Sequence, residues 1–292
     1  MPSRERVSLP GGDFELLAEG ERVAPLALCL HGFPDHPPTF APLLEALAGA
    51  GYRAVAPWLR GYAPSILEGP FHLERLTEDA RELADALSPE RPIYLVGHDW
   101  GAAITYAAAS LWPARIAAAV TLAVPHPNAF FKDFVRRPDQ LRRSWYMGLF
   151  QLPGIAEREV AKDDFALIDR LWRDWSPGYR HPAPAMRTLK DCLARSMPAP
   201  NDYYRAFFRP ILPAVRRLLA AGAPDRRIRV PLLALLGEDD GCIGASIGED
   251  QARFFAGPHR REVVPGVGHF MQIEAPDEIA RRVLDWLRRP EP

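Results

Sequence analysis

The stretch Pro92–Ala109, PIYLVGHDWGAAITYAAA, sets an aspartate between two glycines: Gly97-His98-Asp99-Trp100-Gly101. An apolar, strand-like run enters this pentapeptide and an alanine-rich, helix-like run leaves it. A sharp turn between strand and helix lifts its middle side chain clear of a sheet. It also sets that side chain on the N-terminus of the following helix, where the dipole favours an anion. A serine in such a turn needs a base to remove its proton before it can attack. A carboxylate, with an ordinary pKa of about 3.9, is already ionised at neutral pH. It is a modest nucleophile, suited to saturated carbon that bears a leaving group. The product of such an attack is an alkyl ester of Asp99 itself.

An ester of this kind must be hydrolysed, which calls for a base, an acid to orient it, and donors for an oxyanion. Three further segments supply candidates. LCLHGFPDHPP follows an apolar run and offers the backbone N–H of Phe33; the residue after the aspartate, Trp100, offers a second. LLALLGEDDGC places Asp239 and Asp240 just past another apolar run, and PGVGHF places His269 just past the last one. His269 is the expected base. Asp240, fourth in the Gly237-Glu238-Asp239-Asp240 turn, is preferred as its orienting acid, with Asp239 and Asn128 as alternatives. His31 reads as a brace for its own loop and His98 as a packing residue. The chain order of nucleophile, acid and histidine is that of the α/β-hydrolase fold.

The leaving group separates two chemistries. A halide leaves as a stable anion. An epoxide oxygen leaves as a basic alkoxide and needs a proton donor that is still protonated at neutral pH, for which tyrosine, with a pKa of about 10, is suited. Tyrosines stand where such donors would be useful: Tyr146 in RSWYMGLFQLPG, and Tyr203 and Tyr204 in NDYYRAFFRP. Phe33, Trp100, Trp145, Phe150, Phe207 and Phe208 are the aromatics expected around them, which implies a largely apolar pocket.

These residues need a frame. Short apolar runs at Pro25–Gly32, Tyr52–Trp58, Pro92–Gly97 and Arg115–Pro125 alternate with helical spacing at Thr39–Gly51, Leu73–Leu87 and Ala102–Trp112. That rhythm predicts parallel βαβ units. Between His126 and Asp225 only seven residues are Val, Ile or Thr, so the segment is expected to be helical. The strand–helix rhythm resumes at Val230–Gly237, Arg261–Gly266 and Asp277–Arg289. The expected architecture is an α/β fold with a mostly parallel central sheet, residues 1–125 and 226–292 forming the core and 126–225 a helical cap over the sheet's carboxyl edge, where ligands bind in such folds.

Composition narrows the partners. The chain has 292 residues, 48% hydrophobic and 25% charged, ordinary globular values. A formal net charge of −1 gives no field that would favour nucleic acid or an anionic membrane. Three scattered cysteines, Cys29, Cys192 and Cys242, make neither a disulfide framework nor a zinc spacing. With a polar N-terminus and no long apolar run, a cytoplasmic setting is expected.

Taken together, HGFP, GHDWG, the tyrosine-bearing SWYMGLFQLPG and YYR, GEDD and GHF resemble the epoxide hydrolases of the α/β-hydrolase fold, and the resemblance spans nearly the whole chain, cap included. It implies cofactor-free, metal-free opening of a small, mostly apolar epoxide to a vicinal diol. By motif, Asp99 would be the nucleophile, Asp240 and His269 the acid–base pair, and Tyr146 and Tyr204 the cap tyrosines that grip the epoxide oxygen. Haloalkane dehalogenases share the HDWG turn and are the first alternative, but they usually carry asparagine where Phe33 stands. A non-catalytic ligand-binding protein on the same scaffold is the second.

Overall fold

The structure is a computed structural model and describes residues 2–209 and 227–288. Its centre is an eight-stranded sheet in the order β1-β2-β4-β3-β5-β6-β7-β8. The strands are β1 Ser3–Leu9, β2 Gly12–Glu19, β3 Leu26–Leu30, β4 Arg53–Pro57, β5 Ile93–His98, β6 Ile116–Leu122, β7 Leu232–Gly237 and β8 His259–Val264. From β4 to β8 every neighbouring pair is parallel, while β1–β2 and β2–β4 are antiparallel. Every residue of β3, β4 and β7 is buried. Continuous apolar runs such as LALCL are what a strand needs when helices cover both faces of its sheet.

The covering helices are α1 Ala41–Gly49, α2 Leu73–Leu87 and α3 Trp100–Leu111, with a final helix at Pro276–Leu287. The α2 boundaries are those its apolar spacing predicts. The β1–β2 hairpin has no counterpart in the sequence reading. In β1, Ser3, Arg4, Arg6 and Ser8 are exposed and no residue is fully buried, so SRERVSL reads as a polar tail until the hairpin pairs it.

Between β6 and β7 the described chain is helical: α4 Pro127–Phe134, α5 Pro138–Arg143, α6 Trp145–Phe150, α7 Ile155–Trp175, α8 Ala183–Ser196 and α9 Ala199–Phe208. α7 is two helical pieces joined at Lys162–Phe165, where Asp163, Asp164 and Phe165 have φ of 50°, 54° and 60°. The expected end of the cap, at residue 225, and the last residue of the terminal helix, Arg289, lie outside the described residues. These helices are tied to the core by buried polar contacts. The Trp172 indole N–H donates to the carbonyl of Pro34 at 2.9 Å, and the N–H of Ala63 donates to Ser196 Oγ at 2.9 Å. Among the described residues no helix is long and apolar enough to cross a membrane, and all three cysteines are buried and free.

Candidate active site

β5 ends at His98 and α3 begins at Trp100, so Asp99 forms the whole of the turn between them. Its backbone has φ 53° and ψ −115°, a conformation that costs a non-glycine residue of order 1–3 kcal/mol. The turn is held by close packing on both sides. A Cβ on Gly101 would lie 2.0 Å from the carbonyl oxygen of Leu30, so α3 can approach β3 only without one. The strain stands the Asp99 carboxylate above the sheet, 8% exposed.

Its two oxygens face different partners. Oδ1 accepts the N–H of Phe33 at 2.7 Å. Oδ2 lies 3.7 Å from Nε2 of His269. Trp100 contributes the first amide of α3, which has no acceptor within its own helix. The imidazole of His269 is fully buried and bonds through Nδ1 to Asp240 Oδ2 at 2.8 Å. Asp240 is fixed in turn by the N–H groups of Cys242 and Ile243, which donate to Oδ1 at 2.7 and 2.9 Å. Burial drives the His269 imidazole toward its neutral form. The carboxylate of Asp240, by charge and hydrogen bond, and then that of Asp99 outweigh burial and raise its pKa to about 10.

The alternatives separate cleanly in space. Asp239 is exposed, and the partner of His269 Nδ1 is the carboxylate of Asp240, not the side chain of Asn128. Of the adjacent cap tyrosines, Tyr203 turns toward the core and donates its hydroxyl to the carbonyl of Arg60. Tyr204 turns toward Asp99, and its hydroxyl is buried with no hydrogen-bond partner among the described residues. Tyr146 stands beside it, ring centroids 5.7 Å apart, its hydroxyl 3.4 Å from Cys242 Sγ. Burial, reinforced by Cys242, Tyr204 and Asp99, holds the Tyr146 phenol well above its usual range. Burial and Asp99 do the same for Tyr204. Both are therefore protonated donors at any ordinary pH.

Asp99, Trp100, Tyr146, Tyr204 and Phe207 line one cavity of about 580 Å³, counted with its open mouth. Asp99 is the single charged side chain among its described lining residues; the walls are otherwise apolar, with Phe130, Phe131, Met147, Phe208 and Ile243 prominent. Three residues expected in the pocket lie elsewhere. Trp145 faces outward, 39% exposed, beneath the guanidinium of Arg170. Phe150 and Phe33 are fully buried behind the wall, where each packs edge-to-face on the other and Phe33 also on Tyr204. The i, i+4 rule explains the first of these: Tyr146 and Phe150 share a helix face, and Trp145 is a third of a turn away. Phe130 and Phe131 went unread, although AFFKDF carries the apolar helical spacing that could have found them.

His31 braces its loop: Nε2 accepts the N–H of Leu59 at 3.2 Å, and burial lowers its pKa to about 4. His98 does more than pack. Its Nε2 donates to the carbonyl of His269 at 2.9 Å, and its Nδ1 lies 3.5 Å from Asp35, a fully buried carboxylate. Residues of α5 reach the Asp240 turn as well. Arg143 donates to the carbonyl of Asp240 at 2.6 Å, and Gln140 to that of Cys242 at 2.9 Å. Asp240, Cys242 and His269 have potential metal-ligating atoms within 4.8 Å of one another. Two of these are already bonded to each other, and burial pushes the Cys242 thiol well above its usual range, so the cluster is built as a hydrogen-bonded set.

Comparison with known proteins agrees with this frame. A family profile described as alpha/beta hydrolase fold matches residues 25–276. Epoxide hydrolase 3 of Xenopus tropicalis is 30% identical over 97% of this chain and 77% of its own length. Epoxide hydrolase A of Mycobacterium tuberculosis is 30% identical over 98% of this chain and 97% of its own. The crystal structure of epoxide hydrolase A from Mycobacterium thermoresistibile superposes with a TM-score of 0.83 at 27% identity, covering 100% of this chain and 99% of that one. The chain thus belongs to the α/β-hydrolase fold family and, within it, to the group of the epoxide hydrolases.

Proposed function

We propose that this enzyme opens a small, apolar epoxide to a vicinal diol in two steps, with the helices between β6 and β7 acting as the cap that closes over the substrate. The single observation that carries the reading is the shared cavity. It holds a carboxylate at a strained turn and two buried tyrosine hydroxyls, with a buried imidazole 3.7 Å behind the carboxylate.

In the first step an Asp99 oxygen attacks one ring carbon. The C–O bond of the epoxide breaks, and the alkoxide takes a proton from Tyr146 or Tyr204, leaving a hydroxyalkyl ester. In the second step His269 removes a proton from water, and the resulting hydroxide adds to the ester carbonyl of Asp99. The N–H of Phe33, already 2.7 Å from Oδ1, supports the oxyanion, and the amide of Trp100 is the second donor. Collapse breaks the ester C–O bond; the departing alkoxide takes the proton held by His269 to give the diol, and the acid proton left on Asp99 returns to the tyrosinate, which regenerates the carboxylate. Asp240 holds the imidazole tautomer and stabilises its charged form, the part an orienting carboxylate plays beside a catalytic histidine.

The test is a matched pair of variants. His269→Gln is expected to stop turnover and leave the protein heavier by one substrate mass. Tyr146→Phe with Tyr204→Phe is expected to lower the rate of ester formation from an epoxide by about 10²–10⁴, the usual range for a positioned acid. It should leave displacement of halide from a haloalkane, where the wild type shows any, within about threefold. A His269→Gln protein that never gains mass refutes the two-step route. A double tyrosine variant that still opens epoxides refutes the acid assignment and favours the haloalkane reading.

A further inference from the structure

The C-terminal end of α7 and the residue after it, Asp174-Trp175-Ser176, dip from the cap toward the core and pack against the two loops that carry Asp240 and His269. The carbonyl of Trp175 accepts the N–H of Gly241 at 3.0 Å and that of His269 at 3.1 Å. Ser176 Oγ accepts the N–H of His269 at 3.0 Å and that of Phe270 at 3.1 Å, and donates to Glu274 Oε1. The other oxygen of Glu274 accepts the N–H of Gly268 at 2.9 Å. A serine hydroxyl has one proton to give and two lone pairs to offer. All three are engaged here, on a residue with 0% exposure. The fit leaves no slack: a Cβ on Gly268 would lie 2.7 Å from Ser176 Cα, and one on Gly241 would lie 1.9 Å from the carbonyl oxygen of Asp174. The Trp175 ring meanwhile packs on Tyr146 at 4.9 Å and on His269 at 5.1 Å.

We propose that Ser176, backed by Glu274, is a positioning residue for the second half-reaction: it fixes the backbone of His269 and Phe270 so that the imidazole delivers water to the ester on Asp99. The inference rests on the two-step reading above. Asp240 fixes only one ring nitrogen. The direction of the other is set by where the backbone places the ring, and Ser176 is the side chain that pins that backbone on both sides of the Cα. The first half-reaction uses Asp99 and the tyrosines and does not need the imidazole in register. A cap residue therefore governs hydrolysis of the intermediate rather than capture of the epoxide.

The test is single-turnover kinetics on the full-length enzyme, with ester followed by intact mass and diol by product analysis. Ser176→Ala is expected to slow ester hydrolysis on the order of tenfold to a hundredfold, the effect of misplacing a reacting group by part of an ångström. Ester formation should stay within about twofold, so ester accumulates at steady state. Glu274→Ala should show the same split, and Glu274→Gln, whose amide oxygen can still accept from Ser176 but whose NH2 cannot accept the Gly268 N–H, should recover part of the hydrolysis rate. A proportional fall in both steps, or no change in either with the fold intact, overturns the proposal. Should Ser176→Ala fail to fold, the two Glu274 variants decide it alone. The His269→Gln control keeps the outcomes distinct: absence of trapped ester there refutes the two-step reading, whereas trapped ester there with no split in the Ser176 and Glu274 variants refutes only the positioning role.

Discussion

Removing the charge of Asp99 should turn His269 from an acid into a base. In the resting enzyme two carboxylates hold the imidazole, and its pKa stands at about 10. At pH 7 only about one imidazole in a thousand would then be neutral and able to accept a proton from water. In the proposed two-step route, alkylation converts Asp99 to an uncharged ester. The charge lost lies 3.7 Å from Nε2. With an effective dielectric of about 20, the interaction removed is about 332/(20 × 3.7), or about 4.5 kcal/mol. At 1.36 kcal/mol per unit this is about 3 pKa units. The sign is fixed by the charges: an anion stabilises the imidazolium, so its loss lowers the pKa of His269. The base is thus switched on by the step that creates its substrate. Asp99→Asn, a neutral and nearly isosteric stand-in for the ester, makes the shift measurable. Nitrogen NMR of labelled histidine across pH should show His269 titrating near 10 in the wild type and about 3 units lower in the variant. Wild-type ester hydrolysis should rise with pH and level well below the range in which the resting His269 titrates. A variant pKa within one unit of the wild type, or a hydrolysis rate still climbing at pH 9, refutes the reasoning.

Two further expectations concern stability. Arg60 and Asp79 are 3% and 5% exposed and meet through two contacts of 2.7 and 2.8 Å; Arg60→Ala should destabilise by about 1–3 kcal/mol, read as a lowered denaturation midpoint, less than for a fully orphaned buried charge because Arg75 still bonds Asp79 at 2.6 Å. Trp145→Ala should change kcat/KM by less than about twofold, since the ring is absent from the cavity wall, and should cost on the order of 1 kcal/mol of stability, since most of the residue is covered and Arg170 stacks on it; a large loss of activity would place that ring in the pocket after all.

Much of the frame was legible because its signals are local. Each parallel strand is a short apolar run ended by a turn, and the Asp99 turn announces itself within five residues. Asp99, Asp240 and His269 could be placed because each stands at the carboxyl end of such a run. The β1–β2 hairpin was not legible, because an edge strand wet on one face carries the composition of a tail. Side-chain direction was also partly hidden: Tyr203 and Tyr204 are neighbours in sequence, and only the packing of α9 sends one hydroxyl to Arg60 and the other toward Asp99. Least legible were Gln140, Arg143, Ser176 and Cys242. Their partners lie about 90 to 100 positions away along the chain, and no local pattern marks a serine that will anchor a distant histidine.

The almost uncharged wall of the cavity bears on how a cycle ends. An oxirane arrives with one weak acceptor oxygen, which two phenols can satisfy, and its carbon skeleton gains by leaving water for phenylalanine. A diol carries two hydroxyls, each wanting both donors and acceptors, and Phe130, Phe131, Phe207 and Phe208 offer neither. The same surface that draws the reactant in therefore holds the product poorly, so departure is favoured by hydration and accumulated diol should compete only feebly for the site.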